Sequence, residues 1–242
     1  MTKWMLLLAL VAFIGPLVAN AVAGAGRSPL PWYSAPMDAV GLAPDPSRVR
    51  EAVVQVYAAP AFSWRGIVAT HTWIVVKRQG AERLTRYDVV GWGGGDRVKV
   101  DWAPPDGLWY GKRPMLLLDR RGPEVEALID GVEAAVRDYP WRHTYRTWPG
   151  PNSNTFTAHV AREVPGLRLD LPANALGKDF VPVSRMLTRA PSGTGVQVSL
   201  AGILGVMVAA EEGVEVNVLG LSLGLDVLQP AIRLPGIGRF PR

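Results

Sequence analysis

A chain of 242 residues, 48% hydrophobic and 19% charged, is long enough to bury one sizeable core and too apolar to stay disordered. Its net charge of +5 is modest and its arginines are dispersed, which argues against nucleic-acid binding. The absence of cysteine excludes a thiol nucleophile, disulfides and thiolate metal sites, and it suits an oxidising compartment.

The chain opens with a leader. Lys3 precedes "WMLLLALVAFIGPLVANAVAGAG", in which Asn20 is the one polar residue. This length falls between a signal-peptide core and a full membrane span. Ala19-Asn20-Ala21 and Ala21-Val22-Ala23 offer small-x-small cleavage patterns, and Pro16 is tolerable in a membrane helix. Residues 1–25 therefore read as a signal peptide or membrane anchor, with the remainder in the periplasm or at the inner membrane. Residues 26–50 are proline-rich and aperiodic, as an extended linker would be.

Regular structure is expected from residue 51. "EAVVQVYAA" (51–59) and "GIVATHTWIVVKR" (66–78) read as strands, the second rich in β-branched and aromatic residues. A polar break at Gln79–Glu82 leads into "LTRYDVVGW" (84–92), which makes a hairpin, and "VKVDWA" adds a further strand. The spacing Val125, Leu128, Ile129, Val132, Val136 predicts a helix over 122–140, with Pro123 in its first turn and Pro140 at its stop. A second helix is expected over 153–164, and "LRLDLP" (167–172) reads as a short extended segment. The composition shifts near residue 190. Beyond it, "VQVSLAGILGVMVAA" and "VEVNVLGLSLGLDVL" flank a turn at Glu211-Glu212-Gly213. Apolar residues on both faces of the second segment predict a strand covered on two sides. The expected organisation is a leader at 1–25, a linker at 26–50, an α+β core at 51–190 and a β-rich extension at 191–242.

Chemistry concentrates in two places. If the first hairpin turns about 79–82, His71, Trp73 and Val75 share a face, His71 lies opposite Val90, and Asp88 is diagonal to it. A carboxylate there would hold an imidazole in one tautomer, as the orienting partner of a catalytic base does. Ser153, between a Pro/Gly turn and a helix start, would sit among free backbone N–H groups that favour a developing oxyanion. Spacing alone also allows plainer readings: a structural histidine for His71 and a helix cap for Ser153. His143 and His159 have no comparable setting. Glu211, Glu212, Glu215 and Asp226 have the residue types of a metal site, but a solvated hairpin turn explains the first two better. Trp92, Trp102, Trp109, Trp141 and Trp148 read more simply as core than as the lining of a groove for glycans or acyl chains.

The motifs "THTWIVVK", "WPGPNSNTFTAHV", "ALGKDF", "PSGTGVQVSLAGILG" and "EEGVEVNVLGLSLGLD…PAIRLPGIGR" resemble an uncharacterised bacterial family, domain of unknown function 3750, over about residues 50–240. That resemblance brings no activity. A more distant one does. In circularly permuted papain-like proteins, including the lecithin:retinol acyltransferase-like group, a catalytic histidine opens a strand and precedes a nucleophile in an Asn-Cys-x-x-Phe motif at a helix start. This chain reads Asn152-Ser153-Asn154-Thr155-Phe156. The resemblance matches His71 to that histidine and Ser153 to the cysteine. Serine in place of cysteine is a departure, because a hydroxyl does not form a thiolate–imidazolium pair and needs His71 as a general base during attack.

The expected fold is α+β: an antiparallel sheet packed on two helices in a permuted papain-like arrangement, with a C-terminal β-rich extension and an N-terminal hydrophobic helix. The expected function is acyl or amide hydrolysis or transfer on a peptide or lipid of the cell envelope. Ser153 is its nucleophile, His71 its base, Asp88 its orienter, and Asn152 and Asn154 are polar contacts to substrate. The alternatives are a non-catalytic protein binding a peptide, glycan or lipid in the same groove, and a scaffold that docks through its C-terminal strands. Besides that ligand the membrane is the expected partner. No metal, cofactor or nucleic acid is called for.

Overall fold

The computed structural model describes residues 2–27 and 30–241. Ser28 and Pro29, within the expected linker, lie outside the described residues. Among the described residues the chain is mixed α/β, with two antiparallel sheets and three α-helices. Helix α1 (Thr2–Val22) is long and apolar enough to cross a membrane. The first sheet takes the order β4-β3-β2-β1-β5, from β1 (Val53–Pro60), β2 (Thr70–Lys77), β3 (Thr85–Val89), β4 (Val98–Val100) and β5 (Met115–Arg121). Helices α2 (Val125–Arg137) and α3 (Ser153–Glu163) pack on one of its faces.

Strand alternation divides that sheet cleanly. Val54, Val56, Ile74, Val76 and Val89 face the helices and pack against Ile129, Val132, Phe156 and Val160. Tyr57, Trp73, Val75 and Val90 face the other way, under Trp109, with Leu42, Trp102 and Tyr110 at the margin. Both faces are covered, which explains why β1 and β2 are buried along almost their whole length. On α2 the predicted apolar stripe is buried at Val125, Ile129, Val132 and Val136, while Leu128 is half-buried and rests against Gly166.

Several local expectations are corrected. Residues 63–67 form a 3₁₀ turn, so the strand expected over 66–78 begins only at Thr70. Strand β5 has no alternating pattern, because it is an edge strand exposed along much of its length. Leu167 closes a 3₁₀ turn and Arg168 has φ 50°, so the extended segment expected from 167 cannot begin before 169. The segment 30–46 is not a free tether: Leu108 N donates to the Asp38 carbonyl (2.9 Å), and Leu42 N and Ala43 N donate to Asp106 Oδ2 (2.5 and 3.0 Å).

The second sheet is a seven-strand meander of β6 (Leu187–Arg189), β7 (Gly195–Leu200), β8 (Leu204–Ala209), β9 (Gly213–Val218), β10 (Leu221–Asp226), β11 (Ala231–Leu234) and β12 (Gly238–Phe240). Each apolar segment read above as one strand is a hairpin, turning at 201–203 and at Leu219-Gly220. The two-sided burial expected for 214–228 is therefore wrong. Reading across the second turn merges two strands whose alternation runs in opposite phase. In each strand the valines and leucines point outward and are largely exposed, while Gln197, Ser199, Glu215, Asn217, Ser222 and Asp226 point inward and are buried.

That inward face is tied to the core domain by polar contacts. Asp179 Oδ2 accepts from Asn217 Nδ2 (2.9 Å) and Ser222 Oγ (3.1 Å), and its carbonyl accepts from Ser199 Oγ (2.6 Å). Lys178 pairs with Glu215 (2.5 Å), and Arg233 makes a two-point contact with Asp170 (2.6 and 2.5 Å). Glu212 is not solvated at its turn. It is buried and accepts from the Ser192 amide (2.8 Å) and hydroxyl (2.5 Å).

Candidate active site

The hairpin register decides what His71 meets. Ile74 pairs with Tyr87 and Val75 with Arg86, a register that runs on to set His71 against Val90 with Asp88 diagonal to it. His71 Nε2 lies 2.7 Å from Asp88 Oδ1. The other carboxylate oxygen accepts from Arg86 Nη2 (2.6 Å) and Nε (3.2 Å) and from the Trp102 indole N–H (3.0 Å). Arg86 and Asp88 are fully buried, and the guanidinium lies over the Trp73 ring at 4.2 Å. The His71 ring stacks on Trp109, with centroids 3.5 Å apart and planes 8° from parallel. The imidazole is thus fixed on one edge and one face.

Burial pushes the Asp88 carboxyl upward, but the facing His71 and Arg86 outweigh it and hold it below the ordinary value. Burial lowers the His71 pKa, with Arg86 acting in the same direction and Asp88 opposing. An ionised Asp88 beside a neutral His71 places the imidazole proton on Nε2. The lone pair then sits on Nδ1.

Helix α3 begins where β2 begins. Asn152, in extended conformation, is its N-cap: Oδ1 accepts from Asn154 N (3.0 Å) and Thr155 N (3.1 Å), and Thr155 Oγ1 accepts from Asn152 N (3.1 Å), closing a capping box. The cap is Asn152, so Ser153 is the first helical residue rather than the cap. With Phe156 N bonded to the Asn152 carbonyl, the Ser153 N–H is the donor of the first turn that is left over. Ser153 Oγ has no hydrogen bond to the described residues either. The helix is docked onto β2 by Asn154, whose Nδ2 donates to the Thr70 carbonyl (2.9 Å) and whose Oδ1 accepts from Thr72 Oγ1 (2.9 Å). Asn152 Nδ2 and Asn154 Nδ2 converge on the Leu176 carbonyl (3.0 and 2.8 Å). Next to it, Gly177 has φ +99°, and a Cβ there would fall 2.3 Å from Asn152 Nδ2.

Thr72 faces the helices, so alternation turns His71 to the opposite side of the sheet. The two faces meet at the end of β2, where a cavity of about 780 Å³ is lined by both His71 and Ser153. These residues are 4% and 3% exposed, so little of either is open except toward the cavity. Asn152 and Asn154 line it as well, although every side-chain N–H of both is spent on the protein. Trp92 and Trp148 belong to the lining, where a core role was expected; Trp109 fills the core as expected and lines the cavity as well, whereas Trp102 seals Asp88 and Trp141 packs on the core.

Sequence reasoning missed two features of this cavity. Trp109 lies in an aperiodic loop and becomes the platform for His71. Arg65, in the 3₁₀ turn, is the one permanently charged side chain that lines the cavity among the described residues. Burial pushes the phenols of Tyr110 and Tyr145 up to about 12 and pushes the His71 imidazole down, so each favours its neutral form. Among the described residues no cluster of three metal-ligating side chains occurs.

The family model described as "Protein of unknown function (DUF3750)" matches residues 51–180. The chain belongs to this family. The DUF3750 match contains His71, Asp88 and Ser153 and stops before the second sheet, short of the 50–240 expected from the motifs. No match to the chain was found among curated proteins or among solved structures.

Proposed function

We propose that the chain is a membrane-associated, serine-dependent acyl hydrolase or acyltransferase of the cell envelope, on a permuted papain-like arrangement. One observation carries the reading. His71, whose Nε2 is held by a buried carboxylate, and Ser153 line the same cavity. In attack on an ester or amide carbonyl, Ser153 Oγ bonds to the carbonyl carbon as its proton passes to His71 Nδ1. The carbonyl electron pair moves onto oxygen, facing the Ser153 N–H and the positive end of α3. Asp88 keeps the ring oriented and stabilises the imidazolium. Collapse breaks the bond to the leaving alcohol or amine, which takes the proton from His71. Water, or an acceptor hydroxyl or amine, then removes the acyl group by the same route in reverse.

The mainly aromatic and aliphatic lining, with the cation Arg65 beside it, favours a lipid acyl group next to an anionic group over a peptide. Asn152 and Asn154 act here by positioning Ser153, not by contacting substrate.

Labelling with a fluorophosphonate probe, alongside hydrolysis of p-nitrophenyl acyl esters, tests the assignment. The parent should label and turn over. Ser153→Ala should do neither, and its unfolding midpoint should stay unchanged because Oγ holds nothing in the fold. Persistent labelling of Ser153→Ala would sink the assignment. A parent inert in both assays would leave a non-catalytic binding groove.

A further inference from the structure

The second sheet is built the wrong way round for water. Every outward position from β7 through β11 is Val, Leu or Ile, and the inward positions hold the buried Gln, Ser, Glu, Asn, Asp and Arg described above. An antiparallel sheet with one solvated face shows the opposite pattern. Val206 and Val216 at its centre remain 48% and 40% exposed, so nothing among the described residues covers them.

We infer that this outer face is a bilayer contact, set into one leaflet beside α1. Four observations select lipid as the occupant. First, α1 packs against β10 and β11, and Asn20 Nδ2 fixes its end by donating to the Ile67 (2.8 Å) and Gly236 (3.0 Å) carbonyls. The span-length helix therefore reaches the membrane at this sheet, and Leu17 of α1 and Leu221 of β10 line the same cavity. Second, Trp32, Tyr33 and Trp64 are 65%, 74% and 62% exposed, and Trp32 and Trp64 line that cavity too. Exposed indole and phenol rings gather at the level of lipid headgroups. Third, Arg189, paired across from Val196, stands exposed where the apolar face ends, as a cation contacting headgroup phosphates would.

The fourth is length, which sets the depth. Strands of six residues span about 20 Å, against a hydrocarbon core of about 30 Å, and the meander leaves β6 and β12 as open edges. A spanning sheet would need strands of about 9–11 residues and closure into a barrel. The face thus enters one leaflet and does not cross. The inference does not depend on the chemistry assigned to Ser153.

The cysteine-free chain allows a direct test. Single variants Val206→Cys, Val216→Cys and Leu225→Cys of the full-length protein would carry a nitroxide label in phosphatidylethanolamine/phosphatidylglycerol vesicles. Leu8→Cys on α1 and Glu82→Cys on an exposed loop serve as references. Outer-face labels should collide with oxygen in preference to a water-soluble nickel chelate, as Leu8→Cys does. Nickel accessibility equal to that at Glu82→Cys overturns the proposal. So does dipolar broadening between outer-face labels of separate molecules, which would make the face a contact between two copies.

Discussion

The two sheets solve opposite problems with the same geometry. In the first, both faces are covered, apolar alternation fills two cores, and one buried charge cluster underlies a cavity. In the second, the covered face is polar and the uncovered face is aliphatic. Alternation specifies which residues share a face, but not which face meets protein, water or lipid. The surroundings decide that.

The charge clusters give the sharpest contrast. Asp88 pairs with the permanent cation Arg86, whereas Glu215 is shared between Lys178 and Arg233. Arg86→Ala should cost about 3–5 kcal/mol, as expected when a buried pair loses one partner. Lys178→Ala should cost less, because Arg233 still faces Glu215. Urea unfolding midpoints of the two variants rank them, and the reverse order would mean that the second cluster has no redundancy.

Acid provides the next test. His71 is held below its ordinary value of about 6.5, so the folded protein disfavours its charged form. Its contribution to stability is present above that value and is lost as the pH falls from there toward the folded pKa. Asp88, also held low, is lost lower still, with the same sign. Ester turnover should rise with pH through a midpoint below about 6.5, where Nδ1 becomes free to accept a proton. A midpoint above that value would mean that Asp88 dominates and that the imidazole rests charged.

Smaller effects separate cap from face. Asn152→Ala removes the α3 cap and should cost about 1–2 kcal/mol of stability by thermal or urea unfolding, with a matching loss of ester turnover as Ser153 loosens. Val54→Thr, in the helix-facing core, should cost about 1–3 kcal/mol by the same measurement. Val216→Thr, on the outer face of the second sheet, should stay within about 0.5 kcal/mol. Equal costs for the two threonine variants would erase the distinction between the sheets.

How much was legible follows from the kind of signal. The meeting of His71 and Asp88 could be read because a hairpin turn at a known place fixes every pairing before it. Asn152-Ser153-Asn154 could be read because cap chemistry is local. Trp109 and Arg65 could not, since each reaches the cavity through an aperiodic loop or turn with no period to follow. Strand β5 was invisible for want of a buried face. The hairpins after Gly195 were misread because a turn at Leu219-Gly220 offers only one glycine to mark the change of phase.

One short loop joins these worlds. Leu176 gives its carbonyl to both asparagine amides that seat Ser153, and three residues on, Asp179 grips the polar side of the aliphatic sheet. Four residues of backbone thus anchor both the floor beneath the serine and the polar underside of the sheet.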